Sequence, residues 1–160
     1  MLYSFLESVK YVGHLIPISF LRIFLGYYYL EMALQKVQSE FLYRPVIAEL
    51  IGEWLPNSRA PHWYKVLFGT YLLPHWQGLA FAIVGLEMAI GLSYLIGYVV
   101  RPVALLGVLL CLNQLYINGP NFEAHNKLLL AVHFMFAWLG AGRCLGVDYY
   151  FYKRQRGLWW

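Results

Sequence analysis

Charge is what this chain has least of. Of its 160 residues only 12% are Asp, Glu, Lys or Arg, against 61% apolar, where a soluble domain carries roughly 25% charged. So thin a polar surface excludes an ordinary water-soluble domain and predicts an integral membrane protein built as one domain. The net charge is +4, but the basic residues lie scattered between apolar runs instead of sharing a face, so no nucleic-acid partner is expected. The one dense basic group is Lys153-Arg154-Gln155-Arg156. Cysteine is scarce as well. Cys111 and Cys144 form no C-x-x-C motif and read as buried apolar thiols without a disulfide framework. The chain has no phosphate-binding glycine loop, no hydrolase elbow and no H-E-x-x-H metal pair, so a self-contained hydrolase or nucleotide enzyme is not expected. No internal repeat or low-complexity stretch occurs.

What is present is a series of long apolar runs. A helix crosses a bilayer with roughly 20 apolar residues, and four runs qualify as spans, over residues 15–35, 76–99, 102–117 and 126–145. The expected fold class is all-α, an integral membrane four-helix bundle. Lys10 precedes a first run that lacks an A-x-A end, which predicts an uncleaved span. Pro102 suits a helix start, where its missing N–H is harmless, and Asn118-Gly119-Pro120-Asn121 reads as a tight turn. Four spans put both termini on one side, together with Lys10, Arg22, Arg101, Arg143, Lys153, Arg154 and Arg156. The bias over Lys36, Arg44, Arg59, Lys65 and Lys127 places both termini in the cytoplasm.

The outer loop, residues 36–75, is too long for a simple turn. After Pro45, residues Val46, Ile47, Leu50, Ile51 and Trp54 recur at helical spacing, with Glu49 and Glu53 opposite, until Pro56-Asn57-Ser58. Pro61 opens a second helix that ends at Pro74 and carries Trp63, Tyr64, Phe68 and Tyr71. Two short amphipathic helices at the membrane surface are expected, either as a lid over the bundle mouth or as interfacial anchors. The tail, residues 149–160, is aromatic and basic, suited to inner headgroups or, through Trp159-Trp160, to a partner subunit.

Ionisable groups within spans are expensive, so each is a functional candidate. Glu87 lies mid-span two, Glu31 in the outer half of span one, Asn113 and Gln114 in that of span three, and His133 in that of span four. If their faces converge they form a polar pocket open outward. Arg22, Arg101, Arg143 and Asp148 form a second polar layer near the inner surface. Glu87 is either a structural carboxyl fixing helix register or a proton-handling group beside a quinone, with Tyr94 or Tyr116 and His133 as hydrogen-bonding partners. His133 also admits haem or a chlorophyll-type pigment as the weaker alternative, since no deep histidine opposes it. No metal site is expected. Gly78, Gly85, Gly91 and Gly97 along span two read as close helix packing.

Three stretches belong together: Leu21-Arg22-Ile23-Phe24-Leu25-Gly26 with Leu34-Gln35-Lys36; Gly85-Leu86-Glu87 through Gly91 and Gly97 to Arg101; and Ala141-Gly142-Arg143-Cys144-Leu145-Gly146-Val147-Asp148. In this order the chain resembles the DoxX/DoxD-like family of small four-helix membrane proteins, from Leu21 to Asp148. Ala33 stands where that family more often has glycine, and Glu31 with Tyr27-Tyr28-Tyr29 gives span one an unusual polar edge. The resemblance implies a multi-pass subunit in a prokaryotic inner membrane, part of a quinone-linked oxidoreductase complex such as thiosulfate:quinone oxidoreduction, with other membrane or redox subunits as partners. On that footing Glu87, Glu31 and His133 are the candidate catalytic residues, and His133, Asn113, Gln114, Arg22 and Arg101 the candidate cofactor-binding ones. A non-catalytic accessory subunit of a respiratory or photosynthetic complex is the alternative.

Overall fold

The structure, a computed structural model, describes residues 13–117 and 122–154. Lys10, the turn at 118–121, Arg156 and the terminal Gly157–Trp160 lie outside the described residues. Among the described residues the fold is entirely helical. Four long helices carry it: α1 (Ile16–Gln38), α4 (Trp76–Ile96), α5 (Val100–Ile117) and α6 (Glu123–Leu139). Between α1 and α4 lie α2 (Val46–Asn57) and α3 (His62–Val66), and α7 (Asp148–Arg154) closes the described chain.

The long helices pack mainly as two pairs, α1 with α4 and α5 with α6. Both pairs are antiparallel. Gly26 lies against Gly91 and Leu95 while Arg22 reaches Gly97, and Gly107 lies against His133 while Arg101 reaches Gly140. A Cβ on Gly26 would stand 2.9 Å from the Leu95 backbone nitrogen, and one on Gly91 2.7 Å from Leu30 Cγ. Only glycine lets these backbones approach so closely. Gly78 and Gly85, by contrast, face open space, so close packing accounts for only part of the glycine series.

Two apolar cores result. One, among the long helices, gathers Leu25, Tyr29, Ile90, Tyr94, Ala104, Cys111 and Phe136. The other lies beneath the segment 40–75, where Ile47, Ile51 and Leu55, one face of α2, pack with Tyr64, Phe68, Ala33, Ala80 and Ile117. We call the end covered by this segment the cap end, and the opposite one, with residues 141–148, the clasp end. Glu49 and Glu53 are exposed, as the pattern of α2 requires.

Several boundaries differ from expectation. The second loop helix does not stop at Pro74: α3 continues as a π turn over Leu67–Leu72 and a 3-10 turn over Leu73–His75 directly into α4. Widening and then tightening the turn carries the chain past a proline that has no N–H to give. α4 ends at Ile96, because Gly97 takes φ +70°, and α6 ends at Leu139, because Gly140 takes φ +65°. Left-handed glycines of this kind terminate helices. Residues 141–147 are therefore not helix continuing to 145 but a 3-10 turn and loop folded back on α1 and α4.

Two helical runs, 62–96 and 100–117, are long and apolar enough to cross a membrane. α1 carries Arg22, Glu31 and Lys36, and α6 is 17 residues long with Glu123 and Lys127 in its first turns. The long helices turn many large apolar side chains outward, while a few polar ones are buried among them. Phe20, Phe24, Leu109, Leu128, Phe134 and Trp138 are each more than half exposed, whereas Arg22, Glu87, Asn126, His133 and Asp148 are buried.

Candidate functional site

At the cap end the four long helices leave a cavity of about 450 Å³, walled by Tyr28, Tyr29 and Met32 of α1, Trp54 of α2, Glu87 of α4, Gln114 of α5, and Phe122, His125, Asn126 and Leu129 at the start of α6. That volume lies within the roughly 300–1,000 Å³ of small-molecule sites, and an apolar wall with a few convergent polar groups is their usual character. Trp54 and Phe122 meet across the cavity rim, ring centroids 6.1 Å apart. Tyr28 Oη and His125 Nε2 are hydrogen-bonded at 3.1 Å.

Glu87 is fully buried. Lys36 Nζ donates to its Oε1 in an ion pair from the last turn of α1. Its Oε2 has no partner. Across the cavity wall Asn126 is 2% exposed, and its Nδ2 likewise lacks a partner. Both residues line the cavity, and a buried acceptor and a buried donor left unsatisfied are costly unless something meets them.

Next to the cavity lies a closed polar cluster. His133 receives or gives a hydrogen bond at both ring nitrogens, to Tyr29 Oη at 2.7 Å on Nε2 and to Tyr94 Oη at 2.5 Å on Nδ1. All three side chains are buried. Gly107 makes room for the ring, since a Cβ there would overlap it. His133 therefore does not line the cavity, and neither imidazole nitrogen is free for a haem or chlorophyll-type metal. Among the described residues no three His, Cys, Asp or Glu side chains gather as a metal site.

The remaining candidates lie elsewhere. Glu31 is exposed and accepts from Gln35 Nε2 at 3.4 Å within its own helix. It points away because it follows Tyr29 by two residues, about 200° round the helix from the buried stripe Arg22, Gly26, Tyr29, Ala33. Asn113 Nδ2 donates to Tyr64 Oη at 2.7 Å and lines a separate apolar groove between α4 and α5, about 320 Å³. Burial, with Tyr116 adding to it, holds the Tyr64 phenol above its ordinary range, so it stays protonated. Gln114 does line the cavity.

Arg22 and Arg101 belong to the clasp end. Arg22 is fully buried and donates to three carbonyls, from Nη1 to Ala141 O at 2.8 Å and Cys144 O at 3.4 Å, and from Nη2 to Leu145 O at 2.9 Å. Ser19 Oγ adds a bond to Cys144 O at 2.9 Å. Asp148 accepts from Val99 N–H at 2.7 Å and Val100 N–H at 3.0 Å, capping α5 from a distant part of the chain. Val99 needs that hold, because its φ of +54° is strained for a β-branched residue. Burial pushes the Asp148 carboxyl up, while the Val100 and Val99 N–H groups, then Arg22 and Arg143, pull it down. Arg101 reaches Trp138 O at 3.4 Å, and Arg143 stacks 4.1 Å from the Tyr152 ring centroid.

Of the residues singled out from the sequence as a site, Glu87 and Gln114 line this cavity, while Asn126, Tyr28, His125 and Trp54 line it without having been among those candidates. Asn126 was findable: with Leu129, His133 and Phe136 it sits at helical spacing on the buried face of α6. No protein-family model matches this chain, and no curated protein or solved structure does.

Proposed function

We propose that this chain is a DoxX/DoxD-like membrane subunit of a quinone-linked oxidoreductase complex, and that the cap-end cavity takes the quinone ring. One observation carries the reading: the unpartnered Glu87 Oε2 and Asn126 Nδ2 on the wall of a largely aromatic cavity. A quinone ring is flat and apolar with oxygens on its rim, which suits Trp54 and Phe122 for the ring and Asn126 Nδ2 for an oxygen. Bound there, the quinone would supply the two-electron, two-proton redox chemistry. The chain's own residues contribute orientation through Asn126 and Gln114, exclusion of water by the cap, and a carboxylate at Glu87 positioned for proton exchange.

The bilayer reading rests on the large apolar side chains that the long helices turn outward and on the two runs long and apolar enough to cross a membrane, a surface that suits lipid better than water. In this arrangement α1, α4, α5 and α6 are the four spans of a bundle in a prokaryotic inner membrane, both termini are cytoplasmic, and the cap faces outward. The electron donor would reside in a partner subunit. The Lys36–Glu87 pair favours a second reading, in which Glu87 only fixes the register of α1 against α4 in an accessory subunit.

Purification from the native membrane in a mild detergent separates them. The quinone-linked reading expects extractable quinone approaching one per chain, together with a redox partner. In the Glu87→Gln variant the quinone content should drop while the complex stays assembled. A complex without quinone, or one that falls apart in Glu87→Gln, supports the accessory role instead.

A further inference from the structure

The cavity's hydrogen-bonding groups differ in what they ask of an occupant. Gln114 carries both a donor and an acceptor and suits any oxygen. Tyr28 and His125 already serve each other. Asn126 Nδ2 is a donor without a partner and accepts the company of either a carbonyl or a hydroxyl oxygen. Glu87 is different. Its Oε1 is held by the Lys36 ammonium, and a carboxylate in such a pair offers only acceptors. Its unpartnered Oε2 thus has no use for a carbonyl, which is itself an acceptor and would meet it with repulsion. It requires an O–H.

We propose that the site discriminates between the redox forms of its ligand, binding the hydroquinone, through an O–H donated to Glu87 Oε2, more tightly than the quinone. This rests on the quinone-linked reading and deepens it. Of the two forms, only the hydroquinone satisfies both Glu87 Oε2 and Asn126 Nδ2, whereas the quinone satisfies Asn126 and leaves a buried carboxylate oxygen facing a carbonyl. Hydrogen bonds to a charged group are the stronger kind, and leaving such a group unmet costs more than a neutral bond. A preference on the order of tenfold or more follows. By linkage, a tenfold tighter hold on the reduced form raises the two-electron potential of the bound couple by about 30 mV. The site would retain its ligand in the reduced state.

The test is a calorimetric titration of the detergent-purified full chain with three probes: duroquinone, durohydroquinone and the di-O-methyl ether of durohydroquinone. Wild type should bind durohydroquinone about tenfold more tightly than duroquinone, with the ether no better than the quinone. In Glu87→Gln, whose amide also donates, the preference should shrink to about twofold or less. Asn126→Leu should weaken quinone and hydroquinone alike and keep the preference. Equal affinity for the two forms in wild type overturns the discrimination while leaving the quinone site intact. Failure of all three probes to bind overturns the quinone-linked reading itself. A preference that survives Glu87→Gln, or an ether that matches the hydroquinone, removes Glu87 from the role. If Glu87→Gln does not fold, the ether comparison in wild type and the Asn126→Leu titration still decide the matter.

Discussion

The two ends of this molecule bury polar groups in opposite ways. At the clasp end Arg22 lies in a nest of carbonyls from Ala141, Cys144 and Leu145, and Asp148 holds the Val99 and Val100 amides. The arginines of this end are engaged through their terminal nitrogens, Arg22 by the three carbonyls and Arg101 by Trp138 O, and neither lines the two cavities described above. At the cap end Glu87 and Asn126 are as deeply buried, each keeps one polar atom unmet, and both residues line a cavity. Polar groups used up on the chain itself fix a fold. Polar groups left over beside a cavity are what a binding site retains. On the proposed function the contrast sets a structural end against a ligand-binding one, although from sequence Arg22 and Glu87 both read simply as charges within spans.

Arg22→Leu would break the contrast most severely. The variant orphans the Ala141 and Leu145 carbonyls, Cys144 O keeping its bond from Ser19 Oγ, at about 1–3 kcal/mol for each group left unsatisfied, and it loosens the 141–145 loop from α1. The expected outcome is a loss of about 3–5 kcal/mol, seen as failure to accumulate or as a drop in Tm of roughly 10 °C in detergent. A variant that melts within a degree or two of wild type but no longer binds quinone would reverse the assignment and make the clasp the functional end.

Asn126→Leu sharpens the same contrast with an effect of opposite sign. The substitution removes a buried donor that has no partner in the protein and puts an apolar side chain of the same branching, somewhat larger, in its place. Thermal stability should stay level or rise, by up to about 1 kcal/mol, while ligand affinity falls. A marked loss of Tm would mean that Asn126 holds the fold together and that its amide is satisfied in solution.

How much of this was legible in the sequence differs between the two ends for a physical reason. The four long helices follow from the length of the apolar runs and the amphipathic α2 from 3.6-residue spacing, both visible in one dimension, whereas α7 was not read. The helix ends at Gly97 and Gly140 were not read, because an apolar run continues past each of them and only the left-handed backbone shows where the helix stops. Glu87 was picked out because a lone carboxylate in an apolar run stands out by itself. Its partner Lys36 was assigned to the loop margin, since nothing in the sequence says that this side chain reaches back to Glu87. Glu31 was overvalued for the same reason: charge in a span attracts notice, but which face it occupies depends on phase, and two residues from Tyr29 puts it outside. His133 looked like a ligand until Tyr29 and Tyr94, distant in sequence, closed around both of its nitrogens.

The smallest effect tests whether the cap is held by charge or by packing. At the rim Glu123 accepts from Lys127 at 2.5 Å within α6 and faces Arg59 of the cap segment at 3.8 Å. Arg59 is 88% exposed, and surface pairs of this kind contribute little and fade with salt. The Lys127 hydrogen bond and charge, then Arg59, hold the Glu123 carboxyl below its ordinary value of 4.5. A depressed carboxyl supports the fold above its unfolded pKa and loses that support as pH falls through the folded one. Glu123→Gln should therefore leave Tm within experimental scatter at neutral pH, and variant and wild type should coincide at acidic pH, where the carboxyl is neutral in both. Ligand affinity should not change either, because the cap rests on Ile47, Ile51, Leu55, Tyr64 and Phe68 in its own apolar core and on the Trp54–Phe122 contact. If Glu123→Gln or added salt loosened ligand binding, the cap would be an electrostatic latch, and the cavity would open and close with ionic strength instead of standing preformed.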